Sequence, residues 1–380
     1  MIFLGAGASR SFGIKTLKEM GQRLINIMEK EGYGDLVKQM ELSLKRYGMT
    51  LDFEAAYSIL EGLTRLEDSI RESGPFTAYV GKDLKDHYRR DLKDMLTLLR
   101  DFIWKECRLK KGYDEQIVRV YDTLFKLAKE SRFRDSRFIP NRETQTSSLA
   151  NVGNTIEIQV DVGKTIVTTN YDNIIEIYHR NKNQNCIDGF KRSEDPAKSY
   201  LDFPSFSERT HDRWLVKLHG SLYQYRFEDT IFKTIEEPKR LSTRILVQEN
   251  MMIYPTQEKS MLKHPYHNFY SIFKAQVWTK LIAIGYSFRD VAVNIAIIEN
   301  LEKAVHSNLI VVNPHPETVL QNLGVSALSK FDDRIIRIDG RFGDEKVFVK
   351  LGIALKVESK QRYQERLKEK RDEVYEIFGH

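Results

Sequence analysis

Only two cysteines, Cys107 and Cys186, occur in the 380 residues, and they lie far apart. This excludes a disulfide scaffold and a four-cysteine zinc ribbon, and it makes the cytoplasm the expected compartment. No apolar run approaches the roughly 18 residues that a membrane span needs. The opening MIFLGAGAS turns to glycine at its fifth residue, so no signal peptide is expected. A strong charge excess is also lacking. Sixty basic against 54 acidic side chains leave a formal +6, which suits a small anionic ligand and falls short of a dedicated nucleic-acid surface. Repeats and low-complexity tracts are absent, which removes solenoid architectures. What is present is ordinary for a globular chain, 41% apolar and 30% charged. The length exceeds two typical domains of roughly 150 residues, so one large domain with an insertion, or two domains, is expected.

Met1 to Leu4 is a short apolar run that stops at Gly5, and from Gly13 the positions Ile14, Leu17, Met20, Leu24, Ile27 and Met28 repeat at helical spacing. The order predicted is strand, glycine turn, helix. From about 35 to 130 the period stays helical, as in Leu36, Met40, Leu44 and later Ile117, Val120, Tyr121, Leu124, Phe125, Ala128. Residues 131–153, polar and basic with Pro140, Asn141 and Gly153, read as a connection. Short β-branched runs follow at Thr165–Thr169, Trp214–Leu218, Leu281–Ile284, Leu309–Val312 and Ile335–Ile338, apolar on both faces as buried parallel strands are. Helical patterns at Asn173–Arg180 and Val291–Ala304 lie between them. The fold class expected is α/β, a doubly wound, Rossmann-like parallel sheet with a large helical insertion. Its parts are 1–30 (first strand, glycine turn and helix), 31–149 (insertion), 150–355 (rest of the sheet domain) and 356–380 (a charged C-terminal helix). That last helix either packs on its own domain or binds a partner.

Chemistry concentrates after the strands. In Gly5-Ala6-Gly7-Ala8-Ser9 small residues follow the first strand and open a helix, an arrangement that admits a phosphate or pyrophosphate. The dinucleotide fingerprint is incomplete, since Arg10 stands where its third glycine belongs, and the turn also reads as purely structural. Thr168-Thr169-Asn170-Tyr171-Asp172 ends the next buried strand. Asn170 can orient a water or a sugar hydroxyl, and Asp172 can cap the following helix. Leu218-His219-Gly220-Ser221 repeats the placement with histidine, the residue type suited to proton transfer near neutrality. Gly285-Tyr286-Ser287-Phe288 and Val312-Asn313-Pro314 add small or hydrogen-bonding groups at two further strand ends. Singly these are ordinary turns, but together at one sheet edge they point to a dinucleotide cleft.

The ordered set GAGAS, TTNYD, KLHGS, IGYSF and VVNP resembles the sirtuin-like NAD-binding fold, specifically the NAD-hydrolysing branch of bacterial antiviral defence. The resemblance covers residues 1–14 and roughly 165–315. It implies catalysis by Asn170 and His219, pyrophosphate held by Gly5, Ala6, Gly7, Ala8 and Ser9, and Gly285, Ser287 and Asn313 near the adenosine end, with Asp172 bracing the loop. Asp52-Phe53-Glu54 resembles a short acidic motif of this branch, without an assigned chemical step. The four-cysteine zinc module of sirtuin deacylases has no counterpart, because Cys186 is the one cysteine in that stretch, so no zinc is expected. Arg10-Ser11-Phe12-Gly13-Ile14 replaces the deacylase Pro-Asp-Phe-Arg segment, which puts an acyl-lysine groove in doubt.

The function this implies is an NAD glycohydrolase, with NAD as substrate and nicotinamide and ADP-ribose as products, depleting NAD in antiphage defence. Such activity needs restraint, and the resemblance implies a homo-oligomer or a separate partner, including a HerA-type ATPase. Two other readings stand beside it: a non-catalytic nucleotide-binding interaction module of a nucleic-acid-directed complex, and a zinc-free deacylase. Arg132, Phe133, Arg134, Arg137, Phe138 and Arg142 interleave cations with aromatics, a composition of single-strand binding surfaces and also of solvated loops or subunit contacts. His264 and His267 flank Pro265 without an acidic partner nearby, a poor metal site.

Overall fold

The computed structural model describes residues 1–46, 51, 56, 59–60, 88–130, 133–138, 155–160, 162–192, 198–207, 212–227, 230–234, 249–253, 264–304, 307–357, 364–365 and 367–368. A seven-stranded sheet forms the centre. Its spatial order is Ile335–Asp339, Asn308–Asn313, Lys280–Ile284, Ile2–Leu4, Thr165–Thr168, Arg213–Lys217 and Cys186–Ile187. Every neighbouring pair is parallel. The five strands expected after residue 160 all belong to it, and the chain is the Rossmann-like α/β fold that their apolar runs predict. From the central strand Ile2–Leu4 the chain winds first to one side and later returns to pair Lys280–Ile284 on the other. The switch point, where ligands of open α/β sheets bind, therefore lies at the carboxyl ends of these two strands.

Alternation along each strand divides the core. Ile2, Leu4, Ile166, Leu215, Ile282, Ile284, Ile310 and Val312 face one helical layer, and Phe3, Val167, Val216, Leu281, Ala283, Leu309 and Val311 face the other. The first layer holds Asp114–Glu130, Ile174–Asn181 and Glu345–Ala354; the second holds Tyr266–Ala275 and Val291–Lys303. Both faces are dry because both are covered, and a side chain such as Phe3, fully buried, contributes about 1.5–3 kcal/mol by leaving water.

A third core joins Leu17–Lys30, Gly34–Lys45 and Tyr88–Cys107 through Met20, Leu24, Met40, Met95, Leu99 and Phe102. Tyr171, Leu222 and Tyr223 belong to this same core, so the helices rest directly beside the end of strand Thr165–Thr168. Asp114–Glu130, read from sequence with the other helices, packs on the central sheet itself. The sequence treats 131–153 as a connection, yet Phe133–Phe138 is a strand antiparallel to Thr155–Val160, whose Ile156, Ile158 and Val160 alternate with polar residues as strands do. A five-stranded antiparallel sheet, Glu249–Met252, Gly220–Phe227, Thr230–Thr234, Lys198–Leu201 and Phe190–Arg192, was not anticipated. Polar residues break every run in them, as Gln224 and Arg226 do in Gly220–Phe227, so no continuous apolar run marks them. The Asp52-Phe53-Glu54 motif, Arg132, Arg142 and most of the expected C-terminal helix lie outside the described residues.

Glycine at the switch point admits a direct test. A Cβ on Gly285, which has φ +61°, would stand 2.3 Å from the Ala8 nitrogen, whereas one on Gly34 would meet nothing within 4 Å. Gly285→Ala is expected to cost on the order of 3 kcal/mol or more in denaturant unfolding. Gly34→Ala should be neutral within about 0.5 kcal/mol.

Candidate functional site

Register places the sequence-predicted residues along one edge. Leu4 pairs with both Thr168 and Ile284, Thr168 with Lys217, and Ile284 with Val312. Gly5, Asn170, His219 and Gly285 therefore follow strand ends aligned at one carboxyl edge, and Asn313 closes the strand beside them. The centre of that edge is a glycine seam. The Gly5 amide donates to the Ile284 carbonyl (2.9 Å), the Gly7 amide to Gly285 (2.9 Å), and the Gly285 amide to Val312 (2.9 Å). Cβ atoms on Gly5 and Gly7 would meet Tyr286 Cα at 2.5 Å and Gly285 Cα at 2.8 Å. The backbone that approaches these glycines is thus the chain's own. Ala6–Ser9 forms a single helical turn continued by a 3-10 turn through Phe12. Ala8 is buried under it and Ala6 is half-buried. Arg10 turns away from the seam to Glu19 (2.6 Å), at the start of Leu17–Lys30.

Three of the predicted residues form one directional hydrogen-bond chain. Asn170 Nδ2 donates to the Gly5 carbonyl (3.0 Å) and to Ser9 Oγ (2.9 Å), and Ser9 Oγ donates to Asp172 Oδ2 (2.6 Å). A carbonyl can only accept, so the amide group of Asn170 faces Gly5, and its carbonyl oxygen Oδ1 remains as an acceptor. The Asn170 backbone N–H donates to Thr168 Oγ1 (3.0 Å), which donates to the Leu4 carbonyl (2.9 Å). Asp172 Oδ1 accepts from the Ile174 amide (3.1 Å) two residues on, a side-chain turn that leads into Ile174–Asn181; the N-cap itself is Asn173, so the helix-capping role expected of Asp172 is not the one it plays. Burial pushes its carboxyl above the usual range, against the opposing charge of Lys217 and the Ser9 and Ile174 hydrogen bonds.

Beneath this turn lies a buried charge cluster that sequence reasoning missed. Lys217, 3% exposed, contacts the Asp172 carbonyl, Ser221 Oγ (3.3 Å) and Glu176 Oε1 (3.0 Å). Lys233 of strand Thr230–Thr234 also reaches Glu176 (3.3 Å) and pairs with Asp188. Burial opposes ionisation of Glu176, but Lys217 and Lys233 overcome it and hold the carboxyl down at about 2. Lys217 is the one charged residue within the apolar run Trp214–Leu218, which was the available signal.

His219, 7% exposed, is held by its backbone carbonyl to the Ile253 amide (2.9 Å) and by Nε2 to Asp290 Oδ2 (2.8 Å). The other Asp290 oxygen, Oδ1, accepts from the Val293 amide (3.0 Å) and caps Val291–Lys303. Burial disfavours the Asp290 charge, yet His219 and the amides of Val293 and Ala292 keep the carboxyl below its ordinary range. Asp290 too was missed, although an aspartate just ahead of an apolar-periodic helix is a capping signal. Half-buried Ser287 is bound through its carbonyl by Asn322 Nδ2 (2.9 Å). Asn313 Oδ1 accepts from the His315 amide (3.0 Å) and its Nδ2 contacts the Tyr286 carbonyl (3.5 Å). Tyr286 and Phe288 are buried core residues, with Tyr286 packed on Phe3 at 4.6 Å between ring centres. Away from this edge, His264 bonds Asn268 (3.3 Å). Among the described residues no group of three or more His, Cys, Asp or Glu is placed to hold a metal ion, and no helix is long and apolar enough to cross a membrane.

Residues 164–327 match the family model of the SIR2-like domain. The matched segment contains Asn170, Asp172, His219, Gly285, Ser287, Asp290 and Asn313, and is sirtuin-like in that sense; the first strand and its glycines precede it. Comparison with curated proteins finds no match. Among solved structures 33 chains match. One is a triple mutant of Sir2 homologues in complex with 2′-O-acetyl ADP ribose (TM-score 0.41, 12% identity, 94% of this chain and 92% of that one). Others are a Sir2 homologue mutant with ADP ribose (0.36, 12%, 97% and 92%) and Sir2Tm bound to a propionylated peptide (0.36, 10%, 94% and 93%).

Two outcomes follow from the geometry. Ser9→Ala strips Asp172 Oδ2 of its donor and Asn170 of an acceptor, and should cost about 1–3 kcal/mol in a denaturant melt. Glu176 has a depressed folded value, so its ionisation stabilises the fold fully above about pH 4.5 and ceases to do so as pH falls towards about 2. Glu176→Gln should lose on the order of 3 kcal/mol at neutral pH. Its deficit relative to the parent should shrink through that acidic window in pH-resolved melts.

Proposed function

We propose that this protein is an NAD glycohydrolase, cleaving NAD to nicotinamide and ADP-ribose. The observation that carries the reading is the pairing of two groups on adjacent strand ends. Asn170 has its amide protons committed inward, leaving one acceptor oxygen, and His219 is braced from behind by a carboxylate. The SIR2-like match over 164–327, which contains both, supports the same reading. The dinucleotide would lie across the switch point, with its pyrophosphate over the Gly5–Ser9 turn and its adenosine end towards Gly285, Ser287 and Asn313.

Nicotinamide in NAD is already cationic, so it leaves with the electron pair of the broken C1′–N bond as a neutral molecule and needs no general acid. The transition state is oxocarbenium-like, and the work of the protein is to place the ribose and a water. Asn170 Oδ1 accepts a hydrogen bond from that water or from a ribose hydroxyl. As the new C1′–O bond forms, His219 takes the released proton and later yields it to solvent. Asp172 acts through Ser9, holding Asn170 in place. Draining NAD would harm the host cell, so we include restraint by assembly in the reading: a cytoplasmic homo-oligomer, or a complex with a partner such as a HerA-type ATPase, in antiphage defence. A nucleotide-sensing module without catalysis would share the cleft and would bind NAD intact.

Asn170→Ala and His219→Ala are each expected to lower nicotinamide release by about 10²- to 10⁴-fold while the circular-dichroism spectrum and assembly state persist. Near-parental turnover in either purified variant would refute the assigned roles.

A further inference from the structure

The Asp290–His219 contact fixes more than orientation. Asp290 has two oxygens with separate duties: Oδ1 accepts from the Val293 amide and Oδ2 meets His219 Nε2. A carboxylate has no proton to give, so Nε2 must be the donor, and in the neutral ring the lone pair then belongs to Nδ1. We propose that Asp290 is a positioning residue that holds His219 as the Nε2–H tautomer, making Nδ1 the nitrogen that accepts the proton in NAD cleavage. This rests on the glycohydrolase reading for its chemistry, but the tautomer itself does not.

Three observations support it. The Asp290 carboxyl is held below its ordinary range, so it is an acceptor at neutral pH. Its ionisable neighbours, Tyr286, whose hydroxyl lies 3.4 Å from the Asp290 carbonyl, and Tyr270, are phenols pushed upward by burial, so both stay neutral and leave Asp290 charged. Both ring nitrogens of buried His179 are orphaned, whereas neither nitrogen of His219 is among the orphaned buried atoms of the described residues. With Nε2 on Asp290, Nδ1 is the ring nitrogen left to take a proton.

Asp290→Asn tests this because asparagine caps helices as well as aspartate does. Its Oδ1 can stay on the Val293 amide, which turns the NH₂ group towards His219. That group must donate, so Nε2 becomes the acceptor and the proton moves to Nδ1, the wrong tautomer for the reaction. The experiment labels the full-length chain with ¹⁵N in its nine histidines, assigns His219 by its loss in His219→Gln, and reads the ring nitrogen shifts at mildly alkaline pH. The parent should show a protonated Nε2 and a bare Nδ1, and Asp290→Asn should show the reverse. Asp290→Ser, which keeps a capping oxygen and loses the carboxylate, should give a mixture. The melting temperature of Asp290→Asn should match the parent. Its kcat should fall by about 10²-fold or more with KM for NAD unchanged. A parent already in the Nδ1–H form, or the same tautomer in parent and Asp290→Asn, would overturn the proposal. Tautomer inversion in a protein that releases no nicotinamide would uphold Asp290 as the positioning residue and defeat the glycohydrolase reading.

Discussion

Two backbones meet at the centre of the sheet with no side chain between them, and the rest of the site depends on that contact. Gly5 and Gly7 after the first strand press against Gly285 and Tyr286 after Lys280–Ile284. The Gly7 amide and the Gly285 carbonyl close the gap. This brings the turn through Ser9 within reach of the neighbouring strand end, so that Asn170 can bond both the Gly5 carbonyl and Ser9. A methyl group at the seam would separate the layers and break the chain from Asn170 to Asp172. The glycines thus contribute to chemistry first as packing, and only through packing as a place for a ligand.

Around the seam, each polar side chain is committed to a partner of the fold. Asn170 spends its donors inward, Asp172 its oxygens on Ser9 and a helix amide, and His219 one nitrogen on Asp290. Lys217 and Glu176 hold the turn from below at the cost of buried charge, which is tolerable because Lys233 and Asp188 complete the network from the antiparallel sheet. That sheet therefore supports the site, and the helical core, through Tyr171, Leu222 and Tyr223, encloses it from another direction.

The parallel strands were legible in the sequence because strands buried on both faces must be apolar throughout, as in Leu281–Ile284 and Leu309–Val312. Their carboxyl ends were legible for the same reason, and with them the positions of Asn170, His219, Gly285 and Asn313. What escaped were features whose signals depend on distant partners. Asp290 reads as a helix cap until His219 is seen beside it, 71 residues away in sequence. Lys217 reads as an anomaly until Glu176 and the Asp172 carbonyl surround it. Strands of the antiparallel sheet, such as Lys198–Leu201, show no uninterrupted apolar run. The ladder from Phe133 to Phe138 was hidden by a basic composition that loops share.

The central claim is that Asn170 and His219 share one cleft and cleave the bond between nicotinamide and ribose. Its most direct measurement is incubation of the purified full-length chain with NAD, with and without an acyl-lysine peptide, followed by quantitation of nicotinamide and ADP-ribose. The account predicts both products in equal amounts without any peptide. Recovery of NAD bound but intact, or nicotinamide release that requires the acyl peptide, would contradict it.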